Sequence, residues 1–84
     1  MAMSKEFHLT IARVGENLFD GTAKSVTLPG SEGVFTVLAE HEPFISTLVP
    51  GEIKFTDAEG SEHMMVVEKP GIAEISKNQA TVLL

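Results

Sequence analysis

Along most of this chain apolar and polar residues alternate with period two, and each such run stops within a few residues at a glycine or proline. Successive side chains on an extended backbone point to opposite faces, so the pattern describes strands with one buried face. Phe7, Leu9 and Ile11 share one face, with His8, Thr10 and Ala12 on the other. A turn through Val14-Gly15-Glu16-Asn17 leads to a second strand; Gly21 punctuates, and Val26 and Leu28 then alternate with Ser25 and Thr27. Pro29-Gly30 and Gly33 are turn signals, because proline presets φ and glycine accepts positive φ. Residues 33–38 alternate again, and residues 43–49 carry Phe44, Ile45, Leu48 and Val49 to a Pro50-Gly51 turn. Ile53 and Phe55 oppose Glu52, Lys54 and Thr56, and Asp57-Ala58-Glu59-Gly60 has the composition of a hairpin loop. The unbroken run Met64-Met65-Val66-Val67 predicts a strand covered on both faces. After Lys69-Pro70-Gly71, residues 71–76 and 79–84 predict a last hairpin around Lys77-Asn78.

So many one-sided strands in so short a chain bury their apolar faces by stacking in two layers. The expected fold is all-β: one domain over residues 1–84, a two-layer antiparallel β-sandwich of about 8–10 short strands. No stretch reads as a helix of three turns, and no repeat, low-complexity segment or linker divides the chain. A chain of 84 residues buries only about 60–65% of its unfolded surface. With no Cys, Trp or Tyr, its core must come from Val, Ile, Leu, Met and five Phe. The lack of cysteine agrees with a reducing compartment.

Twelve acidic residues against six basic ones set a formal net charge of −6. That balance argues against nucleic acid or an anionic lipid surface as direct partner and suits a basic protein surface. The opening MAMSKEF does not read as a secretory signal, and no run approaches the roughly 18 apolar residues of a membrane span. Direct lipid insertion is therefore not expected.

The sequence offers little catalytic chemistry. Glu40-His41-Glu42 and Glu62-His63 invite a metal reading, yet neighbours on a strand face opposite sides and cannot share one ion. A facing-strand site combining His8, His41 and His63 is the ligand- or metal-binding alternative. Gly30-Ser31-Glu32-Gly33 lacks the Lys-Ser or Lys-Thr of a phosphate loop and reads as a tight turn. Ser25, Ser31, Ser46, Ser61 and Ser76 lie in no nucleophile elbow. No catalytic residue, cofactor or metal site is expected. Surface recognition remains, at the turn carrying Val34 and Phe35 and at the connection holding His41 and Pro43.

The segment TLPGSEGVFTVLAEHEPFISTLVPGEI resembles the amino-terminal domain of the epsilon subunit of F-type ATP synthases. That family's pattern runs approximately LPG-x-EG-x-x-x-VLPGHAP-hydrophobic-T-x-L-x-PG. Leu28, Pro29, Gly30, Glu32, Gly33, Val37, Leu38, His41, Pro43, Leu48, Pro50 and Gly51 stand in its register. Phe7-His8-Leu9 with Leu18-Phe19-Asp20-Gly21 is similar to the family's opening. Gly71, Glu74, Ile75, Asn78, Thr81, Val82 and Leu83 are similar to its close.

The resemblance implies a non-catalytic rotor part of the central stalk, coupling ion translocation to ATP synthesis. Its partners would be the gamma subunit and the polar loops of the membrane c-ring. It would sit peripherally on the cytoplasmic face of the energy-transducing membrane. By position, the ring-facing turn is Gly30 with Ser31, Glu32, Gly33, Val34 and Phe35, and the gamma-facing set is Arg13, His41, Glu42, Pro43 and Ser46. Typical members continue into two helices that restrain ATP hydrolysis and in some bind ATP. With Leu84 as the last residue, the likeness is to the short form without that helical domain. Val34 stands where relatives often have a second acidic residue, and Pro70-Gly71 replaces a Gly-Gly pair. Ala39-Glu40 replaces Pro-Gly, and Glu42 a small residue; the two carboxylates flanking His41 favour its charged form.

Overall fold

The computed structural model describes residues 5–40 and 42–84. Eight strands occur among these residues: β1 (Phe7–Arg13), β2 (Glu16–Gly30), β3 (Gly33–Leu38), β4 (Phe44–Leu48), β5 (Gly51–Asp57), β6 (Glu62–Val67), β7 (Gly71–Ser76) and β8 (Gln79–Leu83). No helix is present among them. Three hairpins have two-residue loops, since Arg13 pairs with Glu16, Gly30 with Gly33 and Ser76 with Gln79. Such loops follow the twist of their strands when a loop residue takes positive φ. Gly15 (φ 76°) and Asn78 (φ 61°) do so.

Pairing runs from β1 to β8, β7 and β4, and β4 meets the far end of β2 where Leu48 pairs with Gly30. Because β1 also pairs with the first half of β2, this circuit closes on the strand it left and encloses the core. The second half of β2 carries β3, while β5 and then β6 extend the sheet beyond it. Fifteen residues would span about 50 Å if straight. β2 instead bends, with register shifts opposite Ile11/Ala12 and between Ala23 and Ser25, and so serves both layers.

The alternation expected on β1, β2 and β5 is present. Phe7, Leu9, Ile11, Val26, Leu28, Ile53 and Phe55 are buried in one cluster with Val37, Leu48, Val67, Ile75 and Val82. Each such large side chain contributes about 1.5–3 kcal/mol on burial. No polar or charged residue is buried among the described residues.

Three details depart from the sequence-based expectation. Gly21 does not end a strand: it pairs with Leu9 in mid-β2, and a Cβ there would meet the Phe19 ring at 3.3 Å. The β1–β8 ladder is parallel, an exception to the antiparallel pattern. No turn joins those two strands, so nothing local dictates their relative direction. β6 is not covered on both faces. Among the described residues it pairs only with β5, and Met64 and Val66 are 60% and 59% exposed while Val67 is buried. An apolar run fits an edge strand with one bare face as well as it fits a buried strand.

Candidate docking surfaces

The β2–β3 tip is built by close approach. Gly33 has φ 130°, a region that residues with a Cβ rarely enter. Gly30 is needed for space: a Cβ on it would lie 2.7 Å from the Gly33 carbonyl oxygen and 2.8 Å from the Phe35 ring. Ser31 N–H donates to Thr47 O at 2.8 Å and Val49 N–H donates to Pro29 O at 2.9 Å, which ties the hairpin to the end of β4. Ser31, Glu32, Gly33 and Val34 are exposed, Val34 at 73%. Phe35 differs. It is half-buried, packed edge-on against Phe44 with ring centroids 5.4 Å apart. The tip therefore offers one carboxylate and one aliphatic side chain on a stiff base.

The other candidate set is dispersed. Ladder rows run from Phe44 through Ile75 and Ala80 to Leu9, and from Thr47 through Ile72 and Leu83 to Ala12. Arg13 lies beyond the second row, three strands from β4, with its Nε 3.7 Å from Glu16 Oε1. Glu42 and Pro43 are exposed at the opposite end of those strands. Ser46 is half-buried on the Leu48 side of β4, its Oγ donating to Thr47 O at 3.2 Å. His41 lies outside the described residues.

Beside Glu42 and Pro43 the outward residues are ones the sequence did not single out. Ile45 is 64% exposed; on the same outer face, towards the Arg13 end, Ile72 and Leu83 pair directly. A groove of about 650 Å³ runs along Pro43, Ile45, Glu74, Gln79 and Thr81. Beside Gln79, Asn78 Oδ1 accepts the Glu40 N–H at 3.1 Å. Glu40 and Asn78 lie 38 residues apart in sequence, beyond any local pattern.

The two described histidines have separate carboxylate partners. His8 Nε2 is 2.5 Å from Asp20 Oδ1, which also accepts from Thr10 Oγ1 at 3.2 Å. His63 Nε2 is 2.7 Å from Asp57 Oδ2, while Asp57 Oδ1 accepts from Glu59 and Ser61 N–H. The His63 ring stacks on Phe55, and Phe55 in turn packs against Phe19. The hydrogen bond from His63 holds the Asp57 carboxyl below its ordinary value, and the bond from His8 does the same for Asp20. No group of three or more His, Cys, Asp or Glu placed to hold a metal occurs among the described residues.

The family model for the ATP synthase Delta/Epsilon chain, beta-sandwich domain, matches residues 6–84. The chain belongs to this family. It is 36% identical over 76 residues to the ATP synthase epsilon chain of Delftia acidovorans, covering 90% of this chain and 54% of that one. With a Bradyrhizobium ATP synthase epsilon chain it shares 38% identity over 77 residues, 92% of this chain and 56% of the relative. The chain thus spans about half the length of these curated relatives. Its fold superposes on a chain of the Euglena gracilis mitochondrial ATP synthase OSCP/F1/c-ring structure with a TM-score of 0.87, at 22% identity, over 99% of this chain and 52% of that chain. A chain of the Tetrahymena thermophila central stalk and c-ring structure matches at a TM-score of 0.73 and 13% identity, over 98% of this chain and 65% of that chain.

Proposed function

We propose that these residues form the coupling module of an ATP synthase epsilon chain, a non-catalytic part of the rotor. It docks on the gamma subunit and on the polar loops of the c-ring. The observation that carries this reading is the tip: Glu32 and Val34 stand exposed on a hairpin whose backbone is tied to β4. A carboxylate beside an aliphatic anchor suits a loop carrying a basic residue, with the charge giving orientation and the apolar contact holding it. Gamma docking would use Glu42, Pro43 and the neighbouring Ile45. Arg13 and Ser46 stand apart from that surface and are not needed for it. In this reading the module has no cofactor and lies peripherally at the cytoplasmic face of the energy-transducing membrane.

The test is association. Mixed with a gamma-containing catalytic head complex at low and moderate salt, the chain should co-elute with it. Separate elution under both conditions rejects the gamma part of the reading.

A further inference from the structure

We propose that the open edge of β6 is a strand-addition site for an extended segment of another protein that presents two apolar residues and one basic residue, in that order, along one face. This site does not depend on the docking surfaces proposed above. Asp57 N–H donates to Ser61 O at 2.9 Å, and bonded and non-bonded pairs alternate along an antiparallel ladder. Continued along the β5–β6 register, the alternation turns the backbone groups of His63, Met65 and Val67 towards β5. The N–H and C=O groups of Glu62, Met64 and Val66 therefore face away from β5, and the side chains of the same three residues are exposed.

The usual guards of a sheet edge are missing from β6. Its six pairs with β5 run without a register shift, and it contains neither proline nor lysine. Met64 and Val66 leave an apolar strip beside the unpaired backbone groups. The surrounding charges select the occupant. Exposed Glu62 begins the edge, with exposed Glu59 in the adjoining loop. At the other end Val66 lines a groove of about 420 Å³ with Val14 and Leu84, where Arg13 and Lys69 outnumber Glu68. An antiparallel partner strand thus sets apolar residues opposite Val66 and Met64 and a lysine or arginine opposite Glu62. A second copy fits less well, because each carries a net charge of −6. In the two-fold pairings centred on Met64 and on Met65, Glu62 would face Val66 and Glu68 respectively, never a cation.

The probe is an acetylated, amidated heptapeptide in which valine, valine and lysine alternate with threonine, titrated into the isotope-labelled chain. The amide resonances of Glu62, Met64 and Val66 should shift saturably. The same peptide with glutamate in place of lysine should bind about fivefold more weakly, and Glu62→Lys should reverse that order. Met64→Pro removes an N–H from the open edge and none from the β5 ladder, and should weaken binding by about tenfold or more. Met64→Thr keeps the N–H and should stay within about threefold of the parent. Methylating the backbone nitrogen of the central valine should abolish binding. Absent shifts at the three amides, equal binding of the lysine and glutamate peptides, or undiminished binding of the methylated peptide each overturns the proposal. A dimer of the chain alone that Met64→Pro abolishes gives the edge to a second copy and overturns it too. If Met64→Pro does not fold, the methylated peptide against the parent chain decides.

Discussion

The two ends of β3 are made in opposite ways. At its start, the Gly30–Gly33 hairpin is shaped by neighbours in sequence: two glycines, a proline and a phenylalanine that folds back over Gly30. At its end, Glu40 is held by a side chain 38 residues away. The first end is shaped locally and then braced by β4, through the bonds from Ser31 to Thr47 and from Val49 to Pro29. The second depends on β7 and β8 being in place. A surface of the first kind is stiff by construction, whereas one of the second kind can be adjusted from a distance.

Breaking the local end should give the largest effect. Gly30→Val forces side-chain atoms into the Gly33 carbonyl and the Phe35 ring, and should lower unfolding free energy by about 3 kcal/mol, read by denaturant titration. A change below about 1 kcal/mol means that the tip yields more easily than its close packing implies. At the distant end the sign reverses. Glu40→Gly removes the Cβ from a left-handed residue and should raise stability by about 1 kcal/mol in the same measurement.

A third turn, between β5 and β6, is fixed by a charged side chain, and acid tests it. A carboxyl with a lower pKa in the folded state contributes stability that is fully present above its unfolded value and disappears as pH falls through the folded one. Asp57 is such a group, lowered first by its bond from His63. Thermal midpoints of the parent should therefore fall below about pH 4, and Asp57→Asn should show a shallower fall over that range. The smallest change in stability is expected for Val34→Asp, within about 0.5 kcal/mol of the parent because the site is exposed. The same variant should nonetheless attach to ring-bearing synthase about tenfold more weakly. Parental attachment would move the ring contact elsewhere.

This contrast also explains what could be read from the sequence. Phe7, Leu9 and Ile11 or Ile53 and Phe55 announce their buried faces because strand periodicity is a local property. The exposed tip at Ser31–Glu32 was legible for the same reason, since turn chemistry lies in adjacent residues. Phe35 reads as a docking anchor from its place beside Val34, and only the fold reveals that its ring is engaged with Phe44. From sequence β2 reads as two pieces because glycine usually interrupts strands, whereas the Phe19 ring that occupies the space beside Gly21 is a packing fact. β6 reads as covered because neither composition nor period records which strands lie at an edge. Arg13 lies away from Glu42 and Pro43 because two strands, β8 and β7, intervene between β1 and β4, and the pairing that places β1 there is the parallel β1–β8 ladder.

That ladder has a consequence for the making of the protein. His8 pairs with Gln79, 71 residues further along the chain, so the edge of β1 that β8 will cover has no strand to join until residues 79–83 have been translated. At about 5–20 residues per second the ribosome needs about 4–14 seconds to supply it. During that interval the β1–β2 hairpin exists with one side open, and a nascent chain in this state is the form most exposed to chaperones.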